Sequence, residues 1–426
     1  METLDCLSLC EKAAAASVFR SNQKRHNNQE LMETDMSNER NKRRATSETP
    51  AIRRLSPLVS AALLTMVWTN SFAKDDRRHG DHRFTGYRQI NLVSDQPGVA
   101  LLQDTNLVNA WGVSFSPMSP FWVSDNGTGK ATLYAVTNDA SGSPQVTKLG
   151  LEVSIPGEGN PTGQVFNNTT NFHADPFIFV SEDGTISGWR NALGTSAEVL
   201  ASRPTAVYKG VTLVAAPGGP VLLAANFSEG TVDAYDGDLN LIGQPSDSHA
   251  PAGYAPFNVQ SIEGMIIVTF AKQDADKKDD VRGPGHGLID VLDLQTQTFH
   301  RLVTGSDAGG RLRAIDSPWG VALAPGTFGK HSDELLVGNF GSGTIMAFNE
   351  RGRFEGFLEN RRGKPVVIEG LWALALGNGG RGGVPGTLYF TAGPDGESHG
   401  LFGSLEPVRK NHEHDNDDDD DHGHHH

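Results

Sequence analysis

From Phe84 to Val408 the chain is built of short apolar runs, rich in Val, Ile, Phe, Trp and Tyr, that are separated by clusters of Gly, Pro, Asn and Asp. Apolar runs of this length, bounded by turn formers, predict strands. Three segments, Gly184 to Trp189, Gly230 to Tyr235 and Gly343 to Phe348, alternate with period two, the pattern of a strand with one face buried.

The runs recur as a unit. Its clearest copies begin at Asn109-Ala110-Trp111-Gly112-Val113, Ser317-Pro318-Trp319-Gly320-Val321 and Gly370-Leu371-Trp372-Ala373-Leu374, and weaker ones begin at Asn160, Tyr208 and Pro256. With Trp111, Thr162, Lys209, Phe257, Trp319 and Trp372 taken as equivalent, the intervals are 51, 47, 48, 62 and 53 residues, each long enough for about four strands with tight turns. That is one propeller blade per unit. The reading is all-β: a six-bladed β-propeller of four-stranded antiparallel blades over residues 85–408. The extra strand from Tyr87 to Val93 is expected to complete the last blade beside the strand near Gly400 to Leu405, which leaves neither end of the ring as an open edge.

Several of these motifs, among them Asn106-Leu107-Val108-Asn109-Ala110-Trp111-Gly112, Trp122-Val123-Ser124-Asp125-Asn126-Gly127-Thr128-Gly129, Glu182-Asp183-Gly184-Thr185-Ile186-Ser187-Gly188-Trp189 and Leu388-Tyr389-Phe390-Thr391-Ala392-Gly393-Pro394, resemble a family of exported bacterial proteins of unknown function. That family is similar to six-bladed propellers of the broad NHL-repeat and gluconolactonase-like group. The resemblance implies the fold and leaves the activity open.

Outside the repeat the composition changes. Residues 1–73 are read as a leader and signal peptide: Arg53 and Arg54 precede an apolar run from Leu58 to Trp68, with small residues at Ser71 and Ala73 for cleavage. The run is too short for a membrane span of about 20 residues, and an uncleaved anchor is the alternative. Residues 74–84 read as a linker. Residues 409–426, with six His and seven acids, read as a disordered tail that either chelates metal loosely or only solubilises. The two cysteines, Cys6 and Cys10, precede the repeat, so no thiolate chemistry is open to it. Residues 74–410 hold 26 Lys and Arg against 36 Asp and Glu, a balance of about -10 that disfavours nucleic acid.

In a propeller the loops entering the innermost strands and leaving the second strands meet at the channel mouth. Here these positions supply Asn109, Asn160, Asp316 and Glu369 on one side and Asp125, Glu182, Asn226 and Asn339 on the other. All are hard oxygen donors, which suit calcium or another divalent cation; the alternative is that they cap turns. By resemblance, Glu369-Gly370-Leu371-Trp372 matches the Glu-Gly-Pro start of the inner strand in gluconolactonase-like lactonases, which implies Glu369 as a metal ligand, although Leu371 replaces the Pro. The repeated tryptophans are read as filling the gaps between blades. The longest interval carries an acidic stretch and then His286, flanked by Gly, as a candidate ligand-binding side chain on a rim loop or else a solvated one.

No phosphate loop, dinucleotide fingerprint or nucleophile elbow occurs in the repeat, so no nucleotide or flavin is expected. The reading is thus a secreted or periplasmic monomer without a span in its mature form. It serves as a scaffold at the cell envelope for an unknown small molecule, glycan or envelope protein. The alternative is a divalent-metal-dependent hydrolase of the lactonase or esterase type.

Overall fold

The computed structural model describes residues 84–304 and 315–409. The expected signal, linker and acidic tail lie outside these residues, as do Cys6 and Cys10. Among the described residues there are six sheets and a few single turns of 3-10 helix. Blade 1 comprises Ala110–Ser114, Phe121–Asp125, Lys130–Asn138 and Pro144–Ser154; blade 2, Pro161–Phe166, Phe177–Ser181, Thr185–Trp189 and Glu198–Ser202; blade 3, Tyr208–Ala216, Gly219–Asn226, Thr231–Tyr235 and Leu241–Gly243. Blade 4 comprises Tyr254–Ile262, Met265–Lys272, Gly287–Asp293 and Thr298–Thr304; blade 5, Pro318–Leu323, Leu335–Asn339, Ile345–Phe348 and Phe354–Phe357. Blade 6 takes Leu371–Leu376, Leu388–Ala392 and Leu401–Arg409 from the end of the repeat and its fourth strand, Phe84–Ser94, from the beginning.

The closing strand runs antiparallel to Leu401–Arg409, with Gln89 opposite Leu405 and Ser94 opposite Leu401. The ring therefore closes as the pattern predicts, and the pairing extends four residues further, to Arg409. A two-residue strand, Leu102–Gln103, adds in parallel outside it. Tyr87 locks the closing strand onto blade 5: its hydroxyl donates to the Phe328 carbonyl at 2.8 Å, and its ring lies 4.9 Å from that of Phe328.

Each pair of neighbouring blades encloses its own apolar core. Trp122, Phe177, Phe179 and Trp189 fill the one between blades 1 and 2, and Leu92, Phe121, Tyr389 and Phe402 fill the one that joins blade 6 to blade 1. The inner strands approach so closely at the axis that a Cβ on Gly112 would collide with the Thr162 carbonyl, and one on Gly320 with the Trp372 carbonyl. The Trp-Gly pairs of the repeat thus have a physical cause. One residue reaches inward, and the next must have no side chain because the adjacent strand passes there.

Candidate functional site

Five of the six equivalent positions at the start of the inner strands meet at the axis, while the sixth, Thr162, spends its hydroxyl on the Val180 and Tyr208 carbonyls. Trp111 stacks on Trp372 at 3.5 Å between ring centroids, Phe340 stacks on the same Trp372 at 3.7 Å, and Trp319 meets Trp111 edge-on at 6.5 Å. Phe257 and Phe227 complete the cluster. Blades 1 and 5 are not neighbours, so the contact of Trp111 with Trp319 spans the channel. The tryptophans expected between blades instead form a plug across the channel, because residues at the narrow end of each blade face their counterparts rather than the neighbouring sheet.

In blade 3 the equivalent residue is Lys209, whose side chain is only 1% exposed. Its ammonium is paired with Glu182 and with Asp279, at 3.1 Å from the latter, and lies 5.1 Å from the centre of the Trp111 ring. Burial works against its charge, but the two carboxylates outweigh that and hold the ammonium above the ordinary lysine value. Around it Asn126 donates to Glu182 (3.2 Å), and Asn109 donates to Asn126 (3.1 Å) and Glu397 (3.0 Å) while accepting from the Trp372 indole (2.9 Å). Asn109 holds this position with φ of 47°, the left-handed region that Asn tolerates better than most side chains.

The segment between the second and third strands of blade 4 folds over this mouth. Besides Asp279 it brings Arg282, which reaches Glu397 (3.4 Å) and lies 4.2 Å above the Phe340 ring. Burial raises the carboxyl groups of Glu397 and Asp280, with Arg282 and Lys209 opposing the rise in both. Three buried polar atoms here lack a well-formed hydrogen bond, the Trp111 indole nitrogen, one carboxylate oxygen of Asp280 and the Ser317 hydroxyl, and of these Ser317 acts on Asp280 to oppose the rise of its carboxyl. The result is an axial cluster with an aromatic floor, two cations and four acids, in which the Trp111 indole N–H has no acceptor.

The residues singled out from the sequence separate into groups. Asn109 and Glu182 belong to this mouth. Asn160 contributes its backbone carbonyl, which accepts from the Glu182 N–H at 3.2 Å. Asn226 and Asn339 cap turns: Asn226 accepts from the Val207 N–H, and Asn339 from the Asp316 N–H at 3.0 Å. Asp316 accepts from the Gly283 N–H at 2.6 Å and so ties down the covering loop. Glu369 is exposed and accepts from the Asp395 N–H at 3.1 Å. Asp125 is fully buried, and the groups that act on it are Thr132, Asp104, Lys148 and Glu152 of blade 1 and its flank, away from the mouth. The Nδ1 of His286 donates to the Val281 carbonyl at 2.7 Å, within its own loop. Lys209, Asp279, Asp280, Arg282 and Glu397 escaped the sequence reading. The one signal for Lys209 was a lysine where four equivalent positions carry Trp or Phe. Among the described residues no cluster of three or more His, Cys, Asp or Glu is arranged to hold a metal ion.

No protein-family model matches the chain. The uncharacterized protein R648 of Acanthamoeba polyphaga mimivirus is 29% identical over 353 residues, which cover 76% of this chain and 82% of that protein. The uncharacterized protein L690 of the same virus is 27% identical, covering 76% and 87%. These relatives are viral and lend nothing to the exported bacterial origin that the motifs imply. Similar solved structures include a streptogramin B lyase (TM-score 0.42, 9% identity, 76% of this chain and 99% of that one) and the WD40 propeller domain of Doa1 (TM-score 0.40, 12% identity, 75% and 97%). Among the described residues no helix is long and apolar enough to cross a membrane.

Proposed function

We propose that the protein is a binding module whose axial mouth takes a small polyhydroxylated ligand, such as a sugar unit of a glycan. The observation that carries this reading is the buried Trp111 indole N–H, which has no acceptor, near the Asp280 carboxylate, whose one side-chain donor is Ser317, beside the neutralised Lys209 cluster and the Phe340 ring. Buried polar groups without partners are costly, and a ligand carrying hydroxyls satisfies a donor and an acceptor at once. The aromatic floor and the Arg282 and Glu397 pair favour a polar ring over an extended apolar chain. Thermal-shift measurements with a panel of monosaccharides and polyols test this. A ligand that raises the melting temperature of the intact chain by mass action, and fails to do so in Asp280→Asn or Trp111→Phe, supports the reading; a panel without effect on the intact chain overturns it.

The second reading, a divalent-metal-dependent hydrolase, draws on the two carboxylates that meet at Lys209, Glu182 and Asp279. Against it, the Lys209 ammonium already supplies the counter-charge there on a covalent tether. Calcium addition that stabilises the chain only when Lys209 is replaced by Met supports that view, whereas calcium stabilisation of the unaltered chain that Glu182→Gln removes promotes the metal reading. Placement at a cell envelope, secreted or periplasmic, rests on the apolar run Leu58 to Trp68 alone. An intact mass starting near Lys74, in chain recovered from its natural source, is the outcome expected.

A further inference from the structure

The opposite end of the axis holds a second cavity, separate from the mouth and independent of the reading given to it. Beyond the plug the far ends of the inner strands enclose about 650 Å³, roofed by Trp319 and walled by Val113, Phe115, Val211, Leu374 and Leu376. Clefts of roughly 300–1,000 Å³ are the size that takes compact organic ligands.

Four polar side chains of its wall, Gln164, Ser114, Thr212 and Asn258, are bonded to the protein. Gln164 donates to the Gly112 carbonyl and the Ser124 hydroxyl, both at 3.0 Å, and accepts from Ser114 at 2.9 Å. Thr212 accepts from the Ser261 N–H at 3.1 Å, and Asn258 donates to the Trp319 carbonyl at 2.8 Å. A ligand therefore meets a wall that asks for few hydrogen bonds, from Gln260 and Ser261 on blade 4 alone among the uncharged lining side chains.

Charge enters only at the rim. The two charged residues that line the cavity are Glu263, in the hairpin joining the first two strands of blade 4, and Asp333, in the corresponding connection of the adjacent blade 5. Both are exposed, both sit at tight turns with φ of 48° and 61°, and neither has an ion-pair partner among the described residues. No Lys, Arg or His lines the cavity. A cationic head at the rim gains from both carboxylates, and an anionic head is repelled by both. We propose that this cavity binds an amphipathic organic cation, with its apolar body in the channel against Trp319 and its ammonium at the rim beside Glu263 and Asp333.

Three compounds with one apolar body test this: 4-phenylbutylamine, 4-phenylbutanol and 4-phenylbutyrate, titrated at neutral pH and low salt with calorimetry and tryptophan fluorescence as readouts. The amine should bind most tightly and the carboxylate most weakly. The double variant Glu263→Gln/Asp333→Asn should weaken the amine by about fivefold, the scale of exposed ion pairs, and leave the alcohol unchanged. Gln260→Trp, which adds bulk to the channel wall from blade 4, should weaken amine and alcohol alike, while Asp280→Asn at the mouth should alter neither. Binding of the carboxylate as tight as that of the amine, an amine affinity indifferent to the double variant, or no binding of any of the three at millimolar concentration would overturn the proposal.

Discussion

Replacing Asp125 with Asn isolates the energetic cost of one buried acid. Both carboxylate oxygens of Asp125 are buried without a partner, and burial, reinforced by the nearby Asp104 and Glu152 charges, raises its pKa well above the ordinary value near 4. In the unfolded chain the group loses its proton near that ordinary value, whereas in the fold it holds the proton to higher pH. Its contribution to stability is therefore complete below the unfolded pKa and is lost as pH rises towards the folded one. Each pH unit in that window costs about 1.4 kcal/mol. For a propeller of this size each kcal/mol corresponds to about 1–2 °C of melting temperature. An amide of the same shape does not titrate, and the Thr132 hydroxyl, which donates to the Tyr134 oxygen at 2.9 Å, keeps lone pairs to accept from it. Melting curves of the two proteins from pH 4 upward should therefore diverge, with Asp125→Asn gaining about 1–3 °C on the unaltered chain for each pH unit within that window. A difference that stays flat across this range would mean that the carboxyl ionises normally in the fold, and the assignment of a neutral buried acid would be wrong.

Three further outcomes follow from the axis and the closing strand. Trp372→Ala removes a ring sandwiched between Trp111 and Phe340 and should cost about 3–5 kcal/mol in urea unfolding, with loss of the near-ultraviolet signal of the stacked rings; a cost below 1 kcal/mol would refute a plug. Lys209→Met leaves Glu182 without its buried cation and should destabilise by roughly 3–5 kcal/mol, and adding Glu182→Gln should recover part of that in a double-mutant cycle. Deleting residues 84–94 exposes the edge of Leu401–Arg409 and should end cooperative unfolding or drive aggregation, as followed by calorimetry and light scattering.

The blades were legible because a repeat announces itself: strand pattern, turn residues and the equivalence of Trp111, Thr162, Lys209, Phe257, Trp319 and Trp372 all lie in local sequence. The mouth was harder for two physical reasons. Side chains alternate faces along a strand, so an assignment one residue off selects the wrong partner: at the ends of the second strands, Ser181 and not Glu182 is the counterpart of Asp125, since they pair with Pro161 and Ala110 respectively. That offset placed an acid of the mouth in the same row as residues that cap turns. In addition, Asp279, Arg282 and Glu397 come from connections that no other blade repeats, and nothing in a period predicts where an irregular loop lands. The long fourth interval marked the existence of such a loop, but its path across the axis is set by tertiary contacts such as Gly283 with Asp316.

The strand that completes blade 6 also orders events in time. Phe84–Ser94 leaves the ribosome first among the strands, and its partner, Leu401–Arg409, leaves last. Until the end of the repeat is made the strand Phe84–Ser94 lacks its antiparallel partner, and the face of blade 1 that meets Tyr389 and Phe402 stays bare. Joining segments separated by some 300 residues is the slowest kind of contact to form, since chain entropy is lost before any bonding compensates. Blades 2 to 5 can dock in turn onto their predecessors, but the circle shuts in one late step, and until then the two ends of the ring carry apolar surface that the finished ring covers.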